Sequence, residues 1–149
     1  MAPLDRRLTD AEPDIAAAIS ARSPSVQRNL AYTVVNELLT AAHIDGPDIL
    51  AALKDGPYGD SDMRTRLEQA ATAAEITRGQ AAEARNTDEH KKRRTVARAL
   101  SAAWHALSDN PQDAALEVVS EARFGLGKPE ARELVARILG AHIDSRSGS

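Results

Sequence analysis

The residues best equipped for acid–base or metal chemistry are four histidines, His43, His90, His105 and His142. A helical zinc site needs a second histidine three or four positions away on the same face, and none of the four has another His there, so no metal is expected. His43 and His142 each fall where a helix is predicted to end, a place where the helix dipole favours an imidazolium. Both belong to a repeated tetrapeptide, Ala42-His43-Ile44-Asp45 and Ala141-His142-Ile143-Asp144. Two related halves of the chain could bring these histidines and aspartates together, but capping is the simpler role. The carboxylate pairs Asp60 with Asp62 and Asp88 with Glu89 are placed in a loop and a first helical turn, where solvation leaves little room for pKa tuning. No elbow motif surrounds any serine. Gly125-Leu126-Gly127-Lys128 lacks the GxxxxGK[ST] spacing and the preceding strand of a phosphate loop, so it reads as a helix end.

Charge supplies the other candidate chemistry. Lys91, Lys92, Arg93 and Arg94 are consecutive, and Arg98 follows one turn later. A solvated helix turn would account for them, and so would a surface that binds a partner, with these five residues as the contacts. Trp104 and His105 lie further along the same stretch. With the helix ends at His43 and His142, they mark where an interhelical pocket would form in a small enzyme or ligand-binding bundle.

The element that must position these residues is a long helix over Asp88 to Leu107. Val96, Leu100, Ala103, Trp104 and Leu107 recur at helical spacing and predict an inward stripe, with Trp104 buried in the main core. Arg94, Arg98, Ser101, His105 and Ser108 follow the same period about half a turn away, a face expected to meet solvent or a partner. Upstream, no large apolar side chain occurs between Thr77 and Thr95. That segment is expected to be an exposed helix end, a mobile linker or, as the favoured reading, a break at Asn86-Thr87 capped by Thr87 or Asp88.

The remaining helices follow from caps and breakers. Residues 1 to 8 read as a flexible terminus, and a Thr9/Glu12 capping box predicts a helix over about 10 to 21. Ser23-Pro24 starts a helix to about His43 whose apolar positions, Val26 to Ala42, cover two sides. Asp45-Gly46-Pro47 restarts the chain for a short helix over 47 to 54, and Ser61 or Asp60 can cap the next. Asp109-Asn110-Pro111 opens a helix to about Phe124, and Pro129 opens the last. A domain over 9 to 144 with a hinge near 77 to 95 results, followed by a tail, 145 to 149, expected to be disordered.

Composition agrees with these elements. A chain of 149 residues can bury one core, and its alanine-rich makeup, with one Phe, one Trp and two Tyr, suits closely packed helices. The fold class is all-α, with about seven helices in a bundle or short array. With no cysteine, disulfides and thiolate metal sites are excluded. No apolar run is long enough to span a membrane, and Met1 to Asp10 lacks the apolar centre of a signal peptide, so a cytoplasmic location is expected. The net charge of −3 and the dispersed aromatics argue against nucleic acid, although the basic start of the 88–108 helix keeps it as an alternative.

Asp109-Asn110-Pro111, followed by Ala114-Ala115-Leu116-Glu117 and preceded by the alanine-rich helix with Trp104, resembles the D-x-P-x-x-A pattern of small all-helical immunity-type proteins from bacterial toxin systems. The resemblance covers residues 96 to 124, and the first Asp-x-Pro-like unit, at Asp45, lacks the Glu and aromatic companions. It implies a bacterial, non-enzymatic protein that binds and neutralises a partner, and carries no binding residue with it. The sequence therefore predicts a protein-binding helical domain without cofactor, with an acidic protein as partner. A small enzyme or ligand-binding bundle is the alternative.

Overall fold

The computed structural model describes residues 8 to 140, and these form eight helices: α1 Leu8–Ala11, α2 Pro13–Ser20, α3 Pro24–Ala41, α4 Pro47–Asp55, α5 Asp62–Glu83, α6 Thr87–Ala106, α7 Pro111–Gly125 and α8 Lys128–Leu139. No strand occurs among the described residues. The repeated tetrapeptide at Ala141 to Asp144, His142 with it, the tail beyond and residues 1 to 7 lie outside them.

Proline fixes most helix starts. Pro24, Pro47 and Pro111 each stand in the first turn, where the missing N–H would be unpaired. Side-chain caps complete four of the helices, α6 among them. Ser23 accepts from the Val26 N–H, Ser61 from Arg64 and Asn110 from Asp113. The first expected helix is divided instead of continuous, because the Pro13 ring conflicts with the carbonyl of Thr9 one turn back. Thr9 consequently lies inside α1, and no Thr9/Glu12 capping box forms. Leu8, which stands both at the end of the expected loose terminus and at the head of the first helix's apolar stripe, is buried in the core.

The centre of the molecule is the mutual packing of α3, α6 and α7. α3 is buried on two sides through Leu30, Ala31, Val34, Val35, Leu38 and Leu39. α7 contributes Ala114, Ala115, Val118, Val119 and Ala122. α6 presents Ala99, Ala102, Ala103 and Ala106, with Leu107 just past its end. Alanine lets these backbones approach closely. At Gly125 even a methyl group is excluded, because a Cβ there would stand 2.6 Å from Leu38 Cδ2 and 3.2 Å from Arg98 Cβ. α8 covers α7 and α3, the α1–α2 pair covers α7, α4 lies on α3, and α5 packs extensively only on α6.

Two expectations about α6 need correction. Trp104 is half-buried against the core and does not lie within it. The innermost line is the alanine series, since flanking helices on three sides leave no room there for an indole. The face expected to meet solvent is partly covered by α7, as described below.

Candidate functional site

Local sequence explains how the basic turn is presented. α5 ends at Glu83 and Arg85 takes a left-handed conformation, φ 58°, so the chain reverses and α6 begins at Thr87. Asn86, one residue before the expected caps, accepts from the Glu89 N–H at 3.1 Å. Lys91, Lys92, Arg93 and Arg94 then stand exposed on the first turns of α6. Arg93 is paired with Glu89. Lys91, Lys92 and Arg94 have no ion-pair partner among the described residues. This places net positive charge at the positive end of the helix dipole, which costs stability and concentrates the local field.

His43 meets this turn. It follows α3 with a left-handed backbone, φ 59°, and donates its N–H to Thr40 O, while Ile44 donates to Leu39 O at 2.9 Å. These two bonds close α3 in a Schellman-type end with histidine where glycine is usual. The result is a groove of about 480 Å³ between the end of α3 and the start of α6. Ala41, Ala42 and Val96 provide its apolar lining, and Lys91, Lys92 and Arg93 stand on its rim with His43, Thr95 and Glu89, the last paired with Arg93.

A second constellation lies further along α6. At 1.5 Å per residue, His105 is about 21 Å from Lys91 along the helix axis. Here Glu121 of α7, only 12% exposed, gathers three α6 side chains. Arg98 Nη1 donates to Oε1 at 2.9 Å, Ser101 Oγ donates to Oε2 at 2.5 Å, and His105 Nε2 stands 3.7 Å from Oε2. Burial holds the His105 pKa below its ordinary value, against the opposing pull of Glu121 and Glu117 and with a smaller push from Arg64. The imidazole is therefore neutral at neutral pH. Beside it opens a cleft of about 340 Å³ lined by Arg64, His105, Ser108, Asp113 and Glu117, with Leu8 and Thr9 from α1. Arg64 spans from α5 to stack over Trp104.

The expected site residues thus divide into two groups. His43 joins Lys91, Lys92 and Arg93 at one groove, with Arg94 exposed on the same helical turn. Arg98 is held by Glu121 in the other group, with Trp104 and His105 nearby, so His43 and His105 do not share a pocket. Glu121, Asp113 and Arg64 carry the second cluster and were not singled out from sequence, and Glu117, which joins them, was noted only within the D-x-P-x-x-A pattern. The available signal was a carboxylate on the apolar stripe of α7, where Ala114, Val118, Glu121, Ala122 and Gly125 recur at helical spacing. Among the described residues, no three His, Asp or Glu side chains are grouped to hold a metal ion, and no helix is long and apolar enough to cross a membrane. No protein-family model, curated protein or solved structure shows significant similarity to the chain.

Proposed function

We propose that the protein acts by binding another protein, and that the groove between α3 and α6 receives an acidic segment of that partner. The observation that carries this reading is the set of unpaired cations, Lys91 and Lys92, on the rim of an apolar-lined groove. The field of these cations would steer an acidic segment toward the groove, and Ala41, Ala42 and Val96 would supply contact area once it docks. Nucleic acid is the poorer fit because no Phe, Tyr or Trp lines the groove as a platform for base stacking. The D-x-P-x-x-A likeness to immunity-type proteins extends the proposal to neutralisation, in which docking masks the partner's working surface. Within this chain Asn110 and Pro111 of that pattern cap and start α7.

The test is a titration of the isotopically labelled protein with a synthetic peptide in which Asp and Glu flank a central Leu. Amide shifts confined to Ala41 to His43 and Lys91 to Val96 support the reading. Shifts centred on the His105 cleft, or no shifts, overturn it.

A second reading draws on the cleft at His105. Arg64 and neutral His105 line this cleft together with Asp113 and Glu117, so a small polar ligand bearing both a donor and an anionic group would find partners there. Shifts around Ser108 and Glu117 on titration with a panel of zwitterionic metabolites would favour that reading.

A further inference from the structure

The outer face of α5 carries an order of residues that matches itself in reverse. Arg66, Gln69, Ala73, Ile76, Gln80 and Glu83 recur at alternating spacings of three and four, the period of a coiled-coil seam. All six are exposed, and Ile76 is the exposed large hydrophobic residue of the described chain, at 60%. The seam lies about a third of a turn from the Leu67 and Ala81 face that packs on α6. Neither Arg66 nor Glu83 has an ion-pair partner among the described residues.

We infer that α5 is a homodimerisation helix, pairing antiparallel with α5 of a second copy of this chain about a two-fold axis between Ala74 and Glu75. In that register Ala73 faces Ile76, Gln69 faces Gln80 and Arg66 faces Glu83, and the symmetry makes every layer twice. Small faces large at the centre, so the two isoleucines fill the space above the two alanines. The glutamine amides each offer donors and an acceptor and can bond reciprocally. Opposite charges close both ends. A parallel pair would instead set Arg66 against Arg66 and Glu83 against Glu83, so charge alone selects the antiparallel arrangement. The surface fits a second copy better than an unrelated helix because both halves of the complementarity are written on this one element. With a single large apolar residue per chain at its centre, the dimer is weak and concentration-dependent.

The test uses the absence of native cysteine. The Gln69→Cys and Gln80→Cys variants, mixed at high concentration under mild oxidation, form a disulfide-linked pair. Each variant alone does not, because like positions in the antiparallel dimer lie about 16 Å apart along the axis. Sedimentation gives the second reading. Arg66→Glu and Glu83→Arg each shift the chain to monomer, whereas equimolar mixing of the two, or their combination in one chain, restores the dimer. Circular dichroism melts show whether each variant stays folded, as exposed positions should allow. A chain that remains monomeric up to about 1 mM, cross-linking of each cysteine variant to itself, or failure of the double charge exchange to restore association overturns the proposal.

Discussion

Arg64 is joined to Trp104 twice: its guanidinium carbon lies 4.5 Å from the indole centroid, and its Nε donates to the Trp104 carbonyl at 3.4 Å. The contact holds α5 to α6 near the end of α6, where it also walls the His105 cleft. A half-buried indole loses less on truncation than a core one. Trp104→Ala is expected to cost about 2 kcal/mol, below the range of about 3 to 5 kcal/mol for fully buried aromatics. Urea unfolding gives the value, and moderate quenching of the single-tryptophan emission reports its partial exposure. A cost above about 4 kcal/mol with quencher-resistant fluorescence would place Trp104 in the core after all.

Glu121→Ala should destabilise by about 2 to 3 kcal/mol, since it removes the acceptor of Arg98 and Ser101 and leaves a largely covered guanidinium unpaired. Arg98→Ala removes the other side of the same ion pair. The double variant is expected to lose clearly less than the sum of the singles, as coupled partners do. Strict additivity in the cycle would mean that the contact contributes nothing.

Titration of His105 sets a pH dependence. Its native pKa is below the ordinary 6.5 because burial disfavours the imidazolium. The unfolded chain therefore takes up a proton that the native state refuses as pH drops below that value. Stability present above 6.5 is lost with falling pH until the native pKa is passed. His105→Gln should flatten the pH–stability profile in this window relative to the parent. An unchanged slope would show that His105 does not contribute.

At the other side of the fold Glu12 bridges Arg123 and Arg132, with Arg123 Nε 2.6 Å from its carboxylate and Arg132 Nη1 2.9 Å away. Arg123 is 7% exposed, so Glu12→Ala strands a buried cation and is expected to cost about 3 kcal/mol. Asp14, which also pairs with Arg132 but is 47% exposed, should cost less than about 1 kcal/mol when changed to Ala. Thermal or urea melts of the two variants rank them, and equal losses would contradict the burial argument.

Local signals in the chain were the legible ones. Pro24, Pro47 and Pro111 marked helix starts, and Leu30, Val34, Val35, Leu38 and Leu39 revealed a helix buried on two sides. What sequence weighting misjudged was size. Trp104 drew the α6 stripe toward itself, while close packing against α3, α5 and α7 selected the alanines. Pro13 was read through, although its ring divides the first helix. In the site, the exposed turn Lys91 to Arg94 could be read from charge alone. Its meeting with His43, and the gathering of Arg98, Ser101 and His105 by Glu121, depend on contacts between distant helices that no local pattern encodes.

The central claim is that the cations of α6 steer an acidic protein segment into the α3–α6 groove. The most direct measurement is the association rate of the Asp/Glu-flanked Leu peptide with the parent and with the variant in which Lys91, Lys92, Arg93 and Arg94 are all changed to Ser, at two ionic strengths. Because the four side chains are exposed, the melting curve should stay within about 0.5 kcal/mol of the parent. The account predicts fast, salt-sensitive association for the parent and slower, nearly salt-independent association for the variant. Equal rates with equal salt dependence in a folded variant would contradict it.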